Sequence, residues 1–251
     1  MLAKNGTVIL EEVNEYVIKV IMEDRKSKNT FSVELINDLK EAFEFINSNE
    51  TYRSVILTGF DNYFAAGGTQ EGLLKLQRDE IKFTDMDIYR LPFDCKIPVV
   101  AAMQGHAIGG GFVLGMFCDF VVMSKESIYT TNFMKYGFTP GMGATCILPH
   151  KIGLSLTQEM LMNGANFRGA ELEERGIPFK ILPRKEVVEY ATELAISVAE
   201  KSRKALIILK DHLLRNIKSE ISGVIEKELI MHSLTIHDKE VVTRINSLFG
   251  K

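Results

Sequence analysis

The chain contains no tryptophan, and its 3 cysteines, Cys95, Cys118 and Cys146, stand apart in apolar sequence without C-x-x-C spacing. That usage argues against a disulfide framework or a zinc ribbon and reads as reduced core thiols of a cytosolic protein. No apolar stretch approaches the roughly 20 residues of a membrane span, and Met1 to Gly6 open no signal-peptide core. A cytoplasmic protein with no membrane partner is expected. A basic surplus is also missing: 30 Lys and Arg stand against 33 Asp and Glu, for a net charge of −3. Nucleic-acid binding therefore lacks its electrostatic footprint. The glycine clusters carry neither G-x-G-x-x-G nor a following G-K-S/T, which excludes the common nucleotide loops. With 251 residues, 46% apolar and 25% charged, the chain has enough material for one substantial core and a small appendage.

What is present is glycine placed after apolar runs. Pro98 to Met103 leads into Gly105-His106-Ala107-Ile108-Gly109-Gly110-Gly111, and a helix-compatible run, Phe112 to Cys118, follows. A strand that ends in glycines and restarts as a helix leaves backbone N–H groups unpaired, which favours an anion. The other reading of such a cluster is a tight turn that binds nothing. Ser54-Val55-Ile56-Leu57-Thr58 is followed by a second cluster, Phe64-Ala65-Ala66-Gly67-Gly68-Thr69-Gln70. Two strands ending in glycine turns can aim the N–H groups of Gly68 and Gly110 at one oxygen. That is the arrangement of an oxyanion hole, in which loss of one donor typically costs about 10²- to 10³-fold in rate.

Alternation predicts two strands within residues 7–22, around the turn at Asn14-Glu15. Ser32 precedes a helix with Ile36, Leu39, Phe43 and Ile46 at helical spacing, ended by Asn47-Ser48-Asn49. The same strand, strand, helix order can be read around Val55, Gly68 and Leu73, and again around Val99, Gly110 and Leu114. Phe133 to Gly143, with Pro140 and three glycines, reads as a loop lining a site or as a packed turn. From Ser155 the pattern is predominantly helical, with breaks at Gly164, Gly176-Ile177-Pro178 and Pro183-Arg184. Helices are predicted over 185–200 and 203–216, with a last one from about Glu220 to Ile236. There Ile221, Val224, Ile225, Leu229 and His232 share one apolar face. A histidine so placed is more often a packed core residue than a catalytic one.

Ile97 to Gly105, Ala107 to Gly111 and Gly137 to Gly143 together resemble the crotonase (enoyl-CoA hydratase/isomerase) superfamily, and the likeness runs nearly end to end. The resemblance implies an α/β crotonase fold. A ββα-spiral core, taken as 1–190, would carry a C-terminal helical region, 191–251, that packs trimers, so a homotrimer or a dimer of trimers is expected. It implies Gly68 and Gly110 as oxyanion donors, with Ala66, Gly67, Val113 and Phe133 around the substrate. Hydratases of the superfamily use two glutamates, and the matching positions here hold Val113 and Phe133. Neither side chain can move a proton, so hydration lacks its acid and base. Enoyl isomerisation, which relies on the second glutamate, loses its base too.

A finer resemblance lies in Phe64 to Leu74, Asn132 to Ala144 and Glu228 to His232, which are similar to the decarboxylating crotonase homologues of polyketide β-branching cassettes. This implies a carbon–carbon lyase taking a 3-methylglutaconyl group on an acyl carrier protein to a 3-methylcrotonyl group. No cofactor is implied beyond the carrier's phosphopantetheine. The likeness assigns the polar work to His232, as proton donor near neutrality, and to a lysine for the substrate carboxylate: Lys82, with Lys75 as competitor. An enoyl isomerase or hydratase and a non-catalytic scaffold subunit of the same fold are the alternatives. An acidic carrier is expected to dock on Lys201, Arg203, Lys204, Lys210, Arg215 and Lys218.

Overall fold

The structure is a computed structural model and describes residues 3–249. In chain order its first part runs β1 (Ala3–Asn5), β2 (Val8–Asn14), β3 (Val17–Met22), β4 (Thr30–Phe31), α1 (Val33–Ser48), β5 (Ser54–Thr58), β6 (Tyr63–Ala65), β7 (Gly67–Gly68) and α2 (Gln70–Gln77). Next come α3 (Phe83–Met86), α4 (Leu91–Asp94), β8 (Val99–Met103), β9 (His106–Ile108), α5 (Gly110–Met116), β10 (Phe120–Ser124) and β11 (Ile128–Thr130). After a 3₁₀ turn at Asn132–Tyr136 follow α6 (Ala144–Ile152), α7 (Leu154–Asn163), β12 (Phe167–Arg168), α8 (Gly169–Glu174), β13 (Lys180–Leu182), α9 (Arg184–Ala199), α10 (Arg203–Ser233) and α11 (Lys239–Leu248).

Seven strands form one sheet in the order β1-β2-β3-β5-β8-β10-β13, and β6, β9, β11 and β12 form a second. From β3 to β13 the large sheet is parallel. Its strands read as unbroken apolar runs because both faces are covered. Val55, Leu57, Val99, Ala101 and Met103 belong to the main core, while Ile56, Val100, Ala102 and Val122 meet Val187, Ala191 and Ala195 of α9 on the other face. Each spiral turn gives one strand to each sheet and then a helix: β5-β6-α2, β8-β9-α5, β10-β11-α6. This is the expected ββα spiral. Its consequence is that β6 and β9 lie side by side and parallel, so the glycine segments that follow them emerge together.

The first two strands and the Ser32-capped helix stand where the sequence places them, with Leu35 N donating to Ser32 Oγ. The second half needs correction. Residues 180–182, between two proline breaks, form an edge strand of the large sheet rather than a helical connection. The helices predicted over 203–216 and from Glu220 are one helix, α10, because Ile217 carries the apolar stripe across the polar stretch and nothing there breaks helix. It ends at Ser233, short of Ile236, and α11 follows with Val241 and Ile245 buried. The boundary at residue 190 falls inside α9.

Lys210 is buried rather than part of a charged face. Its Nζ donates to Pro92 O (3.0 Å), Ile97 O (3.1 Å) and Asp119 Oδ2 (2.7 Å), and that carboxylate also accepts from Val99 N (2.8 Å). Arg203 is likewise engaged, with Tyr52 O and Asn49 O. These bonds fasten α10 to the sheet. Removing Lys210 would leave Asp119 without its buried partner, a change that costs about 3–5 kcal/mol in comparable sites. Lys210→Ala is expected to lower the unfolding free energy by about 3 kcal/mol in urea titration. A wild-type midpoint and slope would contradict the tie.

Candidate active site

The site begins where β9 meets α5. Gly109 turns the chain at φ +54° and its N–H bonds Thr130 O, so that Gly110 starts the helix with no intrahelical acceptor for its own N–H. The Gly67–Gly68 strand lies against this end. A Cβ on Gly67 would sit 2.6 Å from Ile108 O and 3.3 Å from Gly110 N. β7 is paired with β4 through Thr30↔Gly67 and Phe31↔Gly68. Asn29, which is wholly buried and left-handed, fixes the entry: its Nδ2 donates to Met22 O and Phe64 O, both at 2.9 Å, and its carbonyl accepts from Ala66 N.

Two cavities meet at Gly68 and Gly110. The inner one is bounded by Phe31, Leu73, Phe83, Phe133, Phe138 and His232, with Gly141 and Met142 as part of its wall. The outer one opens past Ala66, Gly67 and Ile108 toward Lys26, Lys28 and Lys135, with Leu248 and Phe249 at the end of α11 on its edge. No carboxylate lines either cavity among the described residues. The inner chamber is thus a largely apolar, aromatic space whose polar groups are backbone amides, the Thr69 hydroxyl and one imidazole.

His232 is 7% exposed and stands edge-on between Phe83 (ring centroids 5.6 Å) and Phe138 (5.3 Å). Burial, with a smaller push from His237, lowers its pKa from 6.5 to about 4. In the empty site it is therefore neutral at pH 7, and the expectation of a histidine titrating near neutrality is corrected. A desolvated cation is costly, and Asp79, which pushes the other way, offsets only a small part of that cost.

Phe133 lines both cavities, whereas Val113 is sealed in the core of α5 and touches neither. Lys82 is exposed at the start of α3 and does not line the chamber, although the next residue, Phe83, does. Its backbone N–H is held by Asp85 Oδ2 at 2.7 Å. Lys75 is paired with Glu71 at 2.8 Å on α2. Sequence reasoning missed Phe83, Phe138 and Met142. Of these, Phe138 and Met142 lay in a glycine-proline segment already marked as a possible wall, but no spacing rule brings that loop, α3 and α10 together.

The ββα spiral, with a chamber between its two glycine turns and α10, is an enzyme fold of the crotonase type. The family profile for enoyl-CoA hydratase/isomerase matches residues 12–248. The bacillaene synthase decarboxylase PksI of Bacillus subtilis (strain 168) is 58% identical over 246 residues, covering 98% of this chain and 99% of that protein. A solved structure from a dehydratase/decarboxylase enzyme couple involved in polyketide β-branching superposes with TM-score 0.97 at 58% identity, covering 98% and 100% of the two chains. The ECH2 decarboxylase domain of CurF from Lyngbya majuscula gives TM-score 0.94 at 44% identity, with the same coverages. The chain belongs to the enoyl-CoA hydratase/isomerase family. Within that family it falls among the decarboxylases.

The buried imidazole also sets an acid limit on the fold. Between pH 6.5 and about 4 the unfolded chain binds a proton that folded His232 excludes. Stability therefore rises with pH across that window and is lost as pH falls, by on the order of 3 kcal/mol from this group. His232→Phe is expected to flatten that segment of the curve in urea titrations from pH 7 to 4. An unchanged slope would show that His232 does not titrate in this way.

Proposed function

We propose that the chain removes CO₂ from a 3-methylglutaconyl thioester carried on the phosphopantetheine of a polyketide synthase acyl carrier protein, giving the 3-methylcrotonyl thioester with no further cofactor. The reading rests on one observation above all: an aromatic chamber joins the Gly68 and Gly110 amides to a single imidazole and, among the described residues, is lined by no carboxylate. Heterolysis of the bond between Cγ and the carboxylate carbon releases neutral CO₂. The bonding electrons pass through the diene to the thioester oxygen, where Gly68 and Gly110 donate. A proton from His232 then closes Cγ, and electron density returns from the oxygen. Lys82, at the head of the segment that puts Phe83 into the chamber, holds the substrate carboxylate.

Because His232 is neutral at pH 7, binding of the anionic substrate has to raise its pKa so that it takes up a proton from solvent. A carboxylate entering beside the imidazole favours the imidazolium. Hydration and isomerisation find no carboxylate to serve as base. The same assay separates these readings: carrier-borne 3-methylglutaconyl and 3-hydroxyacyl thioesters are incubated with the protein and the acyl mass is followed. Loss of CO₂ from the first and no loss of water from the second are expected. His232→Ala should lower kcat by roughly 10²- to 10⁴-fold, and Lys82→Ala should raise KM as well as lower kcat. Near-wild-type turnover in His232→Ala would return the histidine to a packing role.

The carrier's approach follows from the outer cavity. Lys26, Lys28 and Lys135 line it without a neighbouring carboxylate in the lining, and it leads to Gly68 and Gly110. We place the acidic carrier there rather than on the α10 face, where Lys210 and Arg203 are committed to the core. In the decarboxylation assay, reversing the three lysine charges should raise KM more for a carrier-borne substrate than for a pantetheine thioester. Equal effects would remove this face from consideration.

We infer self-association through residues 191–251, as a homotrimer or a dimer of trimers, and a cytoplasmic location. Ile208, Leu209 and Leu213 are 59%, 55% and 68% exposed on α10, an apolar row that supports a protein contact. Among the described residues no helix is long and apolar enough to cross a membrane. Light scattering at micromolar concentration should give a trimeric or hexameric mass that Ile208→Glu with Leu213→Glu reduces. A monomeric wild type would contradict the assembly.

A further inference from the structure

Glu228 is 2% exposed, one helical turn before His232 on α10, and outside both cavities. Its two oxygens are fully engaged by the start of α6. Oε2 accepts from Gly143 N at 2.7 Å, while Oε1 accepts from Thr145 N at 2.8 Å and from Thr145 Oγ1 at 2.6 Å. The preceding turn is held in an unusual shape, with Met142 at φ +64° and Gly143 at φ +72°. A side chain such as methionine rarely keeps that conformation unless its surroundings impose it. Met142 also walls the chamber, and its Sδ would lie only 2.8 Å from a Cβ placed on Gly110.

We propose that Glu228 is a positioning residue that sets the spacing between the oxyanion donor and the proton donor. The chain of contact runs from Gly110 through Met142 and Gly143 to Glu228, and from Glu228 along one turn of rigid helix to His232. A carboxylate suits the task because all three groups facing it can donate. It also sits at the N-terminal end of α6, where negative charge is favoured. Glutamine cannot replace it: its single carbonyl oxygen satisfies one side, and its NH₂ then faces a backbone N–H.

The spacing matters because the dienolate of the proposed reaction has two basic carbons. Protonation at Cγ gives the 3-methylcrotonyl thioester, and protonation at Cα gives the 3-methylbut-3-enoyl thioester. Which one forms depends on where the imidazole stands relative to an oxygen pinned at Gly68 and Gly110. Part of the test thus rests on the decarboxylase reading, and part does not.

The full-length protein is compared as wild type, Glu228→Gln, Thr145→Val and Thr145→Ser, well below each melting temperature. The readouts are the His232 ring resonances without substrate, kcat, and the ratio of the two product isomers. Glu228→Gln is expected to shift the ring resonances, lower kcat by about tenfold to 10²-fold, and raise the share of the 3-methylbut-3-enoyl product. Thr145→Val should move all three less in the same direction, and Thr145→Ser should match wild type. A Glu228→Gln protein with lower Tm but wild-type ring resonances and isomer ratio would overturn the proposal and leave Glu228 a structural cap. Should Glu228→Gln fail to fold, Thr145→Val decides by the same criteria. If wild type releases no CO₂, the decarboxylase reading falls, and the ring resonances still decide whether Glu228 positions His232.

Discussion

Contact between two backbones, with no side chain between them, is the constraint on which the rest of this molecule depends. A Cβ on Gly111 would lie 2.1 Å from Ala65 O, and one on Gly67 would lie 2.6 Å from Ile108 O. The chain leaving β6 and the chain entering α5 can therefore touch only because each contact has a glycine on one side, Gly111 against Ala65 and Gly67 against Ile108. That touch places Gly68 beside Gly110, and it exists because the spiral sets β6 and β9 parallel in the second sheet. The large sheet behind them, covered on both faces, makes the two glycine segments rigid. Buried bonds of Asn29 and the Lys210 to Asp119 pair then tie the entry loop and α10 to that frame.

The chamber built on this contact is defined by what it withholds. Aromatic rings stand around His232 and push its proton off, and among the described residues no carboxylate lines the chamber. Such a site lacks the carboxylate pair that would activate water. It can still favour a reaction whose starting anion becomes a neutral gas while the charge moves to fixed backbone dipoles. The same apolar lining that lowers the histidine's pKa penalises the substrate's carboxylate, so both are relieved together when they pair and when CO₂ departs.

Much of this was legible in the sequence, and the limits have physical causes. Glycine after a strand is a local signal, so Gly68 and Gly110 could be picked out from spacing, and the apolar face of Ile221 to His232 marked the side of α10 that is buried. The single helix over 203–233 was misread as two because a polar stretch, Asn216 to Ser219, looks like a boundary when its one stripe residue, Ile217, is not weighted. The strand at 180–182 was hidden because three residues carry no period. Phe83, Phe138 and Glu228 were beyond reach for a different reason. Their roles depend on α3, the 137–143 loop and α10 meeting in space, and no one-dimensional pattern encodes that meeting.

Lys82 shows how a static arrangement and a mechanism can differ without conflict. Its backbone is fixed by Asp85, and Phe83 beside it is fixed by the chamber, since a Cβ on Gly141 would lie 2.7 Å from that ring. Only the side chain of Lys82 is left free to choose between water and the substrate. An ammonium kept in solvent costs nothing in the empty protein, whereas one held in the aromatic chamber would carry a large desolvation penalty. Under the proposed reaction the negative charge of the substrate supplies the reason to turn inward. The protein thus keeps its cation outside and its imidazole neutral, and under the proposed reaction one anionic ligand gives both a reason to change.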